Sequence, residues 1–459
     1  MEKTKVLKYI DNLGKEISDL CLDIWSHPET SGNEKESANK FREVLRSHGF
    51  TIKEIPGLEH AFIGEYGSGS PVIAVLGEYD ALPGLSQKVD IKYSPVEENG
   101  PGHGCGHNLL GSAALGSALA IKGYLEESKK PGTIRFYGCP EEETLIGKVK
   151  MIKRGAFEGC DIALSWHPMN ANTALRKAFL ANNSIKFRFY GISAHAAQSP
   201  ESGRSALDAV ELMNVGANYL REHVIDEARI HYTITNAGGA PNIVPKEAES
   251  WYYVRAPHRK DVEEITERLI KIAEGAALMT ETTMEYEIIG GTYELLPNDI
   301  LFELTYKNMV EVDQPEYTEE ELEFAKALQE TLDPNMVEAE IKKFVSLEGD
   351  EKPYIHQGIV DKDKADTVIL AGSSDSGDVS WIMPMNLFLT ATWPLGVPAH
   401  TWQATAASGS SLGLKGMLYA AKVFTGMAYD LINDPQLVEA AREEFLKRTE
   451  KRKYVSPLK

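Results

Sequence analysis

The stretch PGHGCGHNLL at 101–110 places Cys105 and His107 two residues apart, with His103 just before them, in a chain that has 4 cysteines and 12 histidines. In an extended loop, residues two apart project to one side. The glycines at 102, 104 and 106 allow the backbone to fold closely around a bound ion. Cys105 and His107 are therefore candidate metal ligands, although a lone Cys-x-His also fits a thiol and an imidazole in a turn. What decides between the two is whether further donors converge on them.

Three other segments offer such donors. PEEE at 140–143 sets three carboxylates in a row, which repel one another unless a cation or solvent offsets the charge. One of these carboxylates, taken as Glu143, can ligate while a neighbour stays off the metal and acts as a general base. His167 follows the apolar run DIALSW, and His400 sits in GVPAHTWQ beyond another apolar run. The set Cys105, His107, Glu143, His167 and His400 supplies a thiolate, three imidazoles and a carboxylate. That mixture suits zinc or manganese and disfavours calcium or magnesium, which prefer oxygen. Five protein ligands exceed one open tetrahedral site, so two divalent ions per subunit are expected, Mn or Zn, able to activate a water. Asp80, which ends PVIAVLGEYD, is the expected acceptor for the far nitrogen of a ligating imidazole.

These residues need strands to carry them. PVIAVLGEYD at 71–80, TIRFYGCPEEE at 133–143, DIALSWHP at 161–168 and NLFLTATWP at 386–394 read as buried strands, each ending in polar or ionisable side chains. NLLGSAALGSALAIKGYLEESKK between the first two reads as a helix with basic residues in its last turn. Strands alternating with helices predict an α/β fold, a mostly parallel sheet with helices on both faces, whose ligands gather at the carboxyl ends of the strands. All four ligand segments are accordingly expected at one edge of one sheet. Residues 184 to about 292 instead show a β-α-β-β-α-β order, the split arrangement of a ferredoxin-like α+β sandwich. The predicted organisation is thus a catalytic domain in two parts, 1–183 and 293–459, with an inserted lid or dimerisation domain at 184–292. The acid-rich stretch 314–366 yields no clear pattern.

Composition narrows the possible partners. A formal net charge of -20 repels nucleic acid and anionic membranes. No run of 18 apolar residues is present, and the N-terminal MEKTKVLKYIDNLGKEISDLCLDIW is amphipathic and lacks a cleavable hydrophobic core. No membrane association is expected. Four cysteines are too few for a disulfide framework, so a cytoplasmic setting is the simpler one.

Taken in order, GEYDALPG, GHGCGHNLLG, GCPEEE, SWHP, GISAHAAQSPESGRSALDAV, APNIVP and PAHTWQ resemble the two-metal amidohydrolases and exopeptidases related to aminoacylase, carboxypeptidase G and the indole-acetyl-amino-acid hydrolases. The resemblance covers nearly the whole chain and implies hydrolysis of the amide bond of a small N-acyl amino acid, with p-aminobenzoyl-glutamate-like substrates favoured. A dipeptidase, or a non-catalytic subunit paired with an active paralogue, is the alternative. Carried over residue by residue, it implies Cys105, His107, Glu143, His167 and His400 as metal ligands and Glu142 as the proton-shuttling base. It further implies that His195 polarises the scissile carbonyl, often in a partner subunit's site, while Asn242 and Arg255 hold the substrate carboxylate. A homodimer through the lid, or a heteromer with a paralogous subunit, follows from the same likeness. The sequence departs from the family pattern at Glu78, where other branches carry a ligating histidine, and at Glu141, where a small residue is common; the role of each is left open.

Overall fold

Apolar runs form the inner strands of the first sheet: in Val72–Glu78 the run VIAVLG precedes Glu78, and every residue after Val72 is buried, on both sides of the strand. That sheet contains β1 (Thr51–Ile55), β2 (Leu58–Ser68), β3 (Val72–Glu78), β4 (Gly132–Cys139) and β5 (Ile162–Leu164), in the order β1-β2-β4-β3-β5. β3 runs parallel to β4 and to β5, while β1–β2 and β2–β4 are antiparallel, so a parallel centre carries an antiparallel edge. The computed structural model describes residues 1–176, 179–344, 353–365 and 372–458. The chain divides into two units. One comprises Met1–Ala178, Leu296–Ile369 and Val379–Tyr454; the other comprises Phe179–Leu295, Leu370–Asp378 and Val455–Lys459.

In the first unit the chain between β3 and β4 includes the helix His107–Ser128, most of whose residues are buried. It is wedged between the helices Lys3–Ser26 and Ser411–Asn433: a Cβ at Gly116 would lie 2.7 Å from Ile17 and 3.5 Å from Ala421. Its predicted basic last turn is absent. The helix stops at Ser128, and Lys129 follows in the left-handed conformation as the cap.

DIALSWHP forms two strands, not one. β5 ends at Leu164, and β6 (Trp166–Met169) joins a second, three-stranded sheet with β7 (Thr173–Leu175) and Leu387–Ala391, which is β12 in chain order. β12 is parallel to β6 and antiparallel to β7. At the break, the Asn386 side chain accepts from Ser165 N–H at 3.0 Å and donates to Ser165 C=O at 3.3 Å. A side chain thus replaces the strand ladder at this point and lets the chain change sheets. The expected single sheet edge is therefore corrected to the ends of two adjoining sheets.

The second unit holds β8 (Ala181–Tyr190), β9 (Arg229–Asn236), β10 (Glu247–Ala256) and β11 (Thr283–Thr292), all antiparallel, in the order β11-β8-β10-β9. The helices Ala206–Leu220 and Arg259–Thr280 supply the rest of the β-α-β-β-α-β sequence. Alternate residues of β10, including Ala248, Tyr252 and Val254, pack with Phe187, Val210 and Leu269 in one core. β9 is an edge strand and is largely exposed.

Within the acid-rich stretch, Glu319–Gln329 and Pro334–Phe344 are helices; Thr318 and Glu321 form a capping box at the first. Residues 345–352 and 366 of that stretch lie outside the described residues. Among the described residues no helix is long and apolar enough to cross a membrane.

The glycine loop before His107 is packed against backbone. A Cβ on Gly102 would fall 2.0 Å from Leu85 O and 3.0 Å from Ser86 N, so the loop tolerates nothing larger. Gly102→Ala is expected to lower stability by about 2–4 kcal/mol, read from the denaturant midpoint. Gly275→Ala, in a helix with open space around it, should instead be neutral or stabilising by up to about 1 kcal/mol.

Candidate metal centre

Asp80 lies two residues past the end of β3 and is fully buried. Its Oδ1 is 2.9 Å from His107 Nδ1, while its Oδ2 accepts from Ser31 Oγ at 2.8 Å and from the Glu143 backbone N–H at 2.9 Å. Burial alone would raise the Asp80 pKa, but His107 and these hydrogen bonds outweigh it and hold the carboxyl below its usual range. A carboxylate beside Nδ1 favours the proton there, which in the neutral ring leaves the lone pair on Nε2. His107 is the first residue of its helix, set by Gly106 at φ 74, where a Cβ would come within 2.9 Å of Pro168.

The other donors gather around this imidazole. Cys105 Sγ is 3.4 Å from His167 Nε2, and His167 Nδ1 lies 2.7 Å from Pro168 O, so both histidines turn Nε2 inward. His400 Nε2 lies 3.5 Å from Glu143 Oε2. The backbone of His400 has φ 62, costly for a residue with a Cβ, and its N–H donates to Gly104 O at 2.9 Å. Among the described residues three groups have donor atoms within 4.8 Å of one another: Cys105, His107 and His167; Cys105, Glu143 and His400; and Glu78, His107 and Glu142. The first two groups share Cys105 and together contain the five side chains expected from the sequence. Glu142 is buried, with Oε2 3.9 Å from His107 Nε2. His103, the remaining histidine of the glycine loop, is buried and belongs to none of these groups.

The arrangement fits a cation. His107 Nε2 and Glu143 Oε1 are buried with no hydrogen-bond partner among the described residues, which is costly for polar atoms unless something binds them. Burial, with Asp80 and Glu78 nearby, pushes Glu143 up to about 7. Burial also drives the Cys105 thiol well above its ordinary value. A divalent ion reverses both effects by favouring the anionic forms. The donor set of sulfur, nitrogen and oxygen suits a divalent transition-metal ion.

Sequence reasoning missed Lys148 and Glu34 beside this cluster and left the role of Glu78 open. Lys148, fully buried, is 2.6 Å from Glu78 Oε1, and Glu78 Oε2 is 3.4 Å from His107 Nε2. Glu34 accepts from Glu141 N–H at 2.8 Å and so braces a residue held at φ 59. Burial and then Asp80 raise Glu34 to about 7. Only the Glu78 departure from the family pattern pointed here.

His195, Asn242 and Arg255 belong to the second unit. His195 is exposed; its Nδ1 accepts from the N–H groups of Ala197 and Gln198, both at 3.2 Å. In the neutral ring Nε2 then carries the proton and can donate. Asn242 O accepts from Ala196 N–H at 3.0 Å, so these two segments are neighbours. Arg255 is not beside them. Glu247 pairs with Tyr190 at one end of β10, and Arg255 pairs with Asn182 at the other, roughly 26 Å away at the rise of a strand. Arg255 Nη1 donates to Ser373 Oγ at 2.9 Å.

A mixed α/β unit with buried sulfur, nitrogen and oxygen donors at its strand ends, joined to a ferredoxin-like unit, defines a metal-dependent hydrolase of amide bonds. The chain belongs to the peptidase family M20/M25/M40, whose model matches residues 74–457. It is 42% identical over 452 residues to one of the subunits of the p-aminobenzoyl-glutamate hydrolase of Escherichia coli, covering 96% of this chain and 94% of that protein. It is 28% identical to the Xaa-Arg dipeptidase of Mus musculus, over 96% of this chain and 92% of that protein. Among solved structures, a dinuclear metal binding peptidase of the M20 family from Bacillus subtilis superposes with a TM-score of 0.60 at 17% identity, covering 92% of this chain and 99% of that one.

If Asp80 orients His107, Asp80→Asn will weaken metal binding roughly 10–100-fold, with Ser31→Ala giving a smaller loss in the same direction. Calorimetric titration of chelator-stripped protein measures this; unchanged affinity in both variants would exclude the role.

Proposed function

We propose that this chain hydrolyses the amide bond of N-acyl amino acids, with p-aminobenzoyl-glutamate-like compounds the favoured substrates. The observation that carries the reading is the convergence of Cys105, His107, Glu143, His167 and His400 beside Glu142, with donor atoms lying within 4.8 Å in each linked group. The identity to the p-aminobenzoyl-glutamate hydrolase chain supports the substrate class. In this reading the five side chains hold two divalent ions, Mn or Zn. Bound there, the ions supply Lewis-acid polarisation of the carbonyl and lower the pKa of water.

The chain's own residues perform the proton and binding work. Glu142 takes a proton from the attacking water and returns it to the leaving amine, so its carboxylate ends the cycle unchanged. His195, with Nδ1 held as an acceptor, offers Nε2–H to the oxyanion that develops on the carbonyl. Arg255 grips the substrate carboxylate as a fork, and Asn242 stands beside His195. Because the length of β10 separates Arg255 from His195 and Asn242, a small N-acyl amino acid cannot touch both ends of one lid. A second copy supplying His195 and Asn242 resolves this, and the exposed apolar stripe Leu212, Val215 and Tyr219 together with the edge strand β9 suits such a homodimer. A heteromer with a paralogous chain is the second assembly, supported by the multi-subunit make-up of the hydrolase to which the bacterial relative belongs. A thiolate ligand requires reduced Cys105, which fits a cytoplasmic setting.

Glu142→Ala should retain bound metal yet lose turnover roughly 10²–10⁴-fold; a near-normal rate would end this assignment. A screen of p-aminobenzoyl-glutamate, N-acetyl amino acids and dipeptides under saturating manganese or zinc is expected to favour the first. Preference for dipeptides would select the reading supported by the Xaa-Arg dipeptidase relative. Activity only in the presence of a paralogous chain would select the non-catalytic subunit.

A further inference from the structure

Glu142 stands between two peptide N–H groups that buried carboxylates hold. On one side Glu143 N–H donates to Asp80 Oδ2 at 2.9 Å; on the other Glu141 N–H donates to Glu34 Oε1 at 2.8 Å. Both carboxylates are tied to one N-terminal turn. Ser31 Oγ donates to Asp80, Glu29 O accepts from Ala81 N–H at 2.8 Å, and Glu34 ends the turn as the residue before the helix Lys35–Ser47. Glu34 is 0% exposed, and its Oε2 is buried with no hydrogen-bond partner among the described residues. Burial and the nearby Asp80 make its anion costly, which is why it is raised to about 7. An apolar side chain would fill the same space at less cost. What such a side chain lacks is an acceptor for Glu141 N–H.

Glu141 needs that acceptor. Its backbone is left-handed, with φ 59, which is unfavourable for a residue with a Cβ. Three contacts hold it there: Glu34 takes its N–H, Lys150 Nζ donates to its Oε2 at 2.5 Å, and Thr144 Oγ donates to its C=O at 3.0 Å. The loop has no slack at its far end either, since a Cβ on Gly147 would lie 1.7 Å from Pro140 O. Relaxation of Glu141 to a right-handed conformation would swing the next peptide and carry Glu142 with it. The Glu142 side chain is buried, with Oε2 3.9 Å from His107 Nε2, and proton transfer depends steeply on such placement. We propose that Glu34 is a positioning residue for Glu142: by holding Glu141 left-handed it aims the next side chain into the cluster, a role that rests on the reading of Glu142 as general base and deepens it. The two carboxylates divide the work. Asp80 holds the backbone of the candidate ligand Glu143, whereas Glu34 holds the backbone ahead of the base, so loss of Glu34 should lower turnover while bound metal stays.

The test uses the full chain loaded with Mn²⁺, with p-aminobenzoyl-glutamate as substrate. Glu34→Met, which fills similar space without an acceptor, should lower kcat roughly 10–100-fold while KM and bound metal, counted by elemental analysis, stay as in wild type. Glu34→Gln keeps an oxygen for Glu141 N–H and should recover most of that loss. In a Glu141→Gly background, where glycine adopts φ 59 unaided, the loss caused by Glu34→Met should shrink. Hydrogen exchange resolved at single amides needs no turnover: in Glu34→Met the Glu141 N–H should exchange roughly tenfold faster or more, while Glu143 N–H, held by Asp80, keeps its protection. Wild-type kcat or unchanged Glu141 exchange in folded Glu34→Met would overturn the proposal. So would a Glu34→Gln as slow as Glu34→Met, an undiminished loss beside Glu141→Gly, or metal lost in step with kcat. Near-UV circular dichroism reports folding, and Glu34→Ala takes the place of Glu34→Met should that variant fail to fold. If wild type does not turn over this substrate, the exchange of Glu141 decides alone. Failure of the base reading looks different: Glu142→Ala would then keep a near-normal rate whatever the Glu34 variants do.

Discussion

Asp80 ties together three distant parts of the chain. Its two oxygens receive the His107 imidazole from the glycine loop, the Ser31 hydroxyl from the N-terminal turn, and the Glu143 backbone from the loop after β4. A buried carboxylate survives as an anion only when such donors replace its water. The same contacts that keep Asp80 charged also orient one candidate metal-binding imidazole and the backbone of a candidate carboxylate ligand. Electrostatic need and site geometry are met by one set of bonds, so disturbing any of the three segments disturbs the others.

The packing around it follows from that requirement. The glycines before His107 bring the loop close to Leu85 and Pro168, and the helix that begins at His107 is buried between two further helices. Asn386 bonding Ser165 moves the chain from one sheet to the next and delivers His167 inside a strand of the second sheet. The site is thereby assembled from segments that regular strand pairing alone would not bring together.

Much of this was legible in the sequence because the chemistry is local. GHGCGH, PEEE, SWHP and PAHTWQ each combine donors with a turn at the end of an apolar run, and the periodicities of 184–292 spell out the ferredoxin-like order without help from tertiary contacts. The rest was not legible, for identifiable physical reasons. The Glu78–Lys148 pair joins residues 70 positions apart, brought together by the parallel pairing of β3 and β4 and the turn beyond it. Glu34 meets Glu141 across 107 positions through a single backbone bond. The break at Ser165 depends on Asn386, which leaves no mark on the periodicity of DIALSWHP.

His400 holds a left-handed backbone at φ 62 while its N–H is tied to Gly104. That conformation costs a residue with a Cβ about 1–3 kcal/mol, and glycine would adopt it with almost no penalty. Histidine here thus carries a conformational cost that glycine would avoid, at a position whose imidazole stands in one donor group with Cys105 and Glu143.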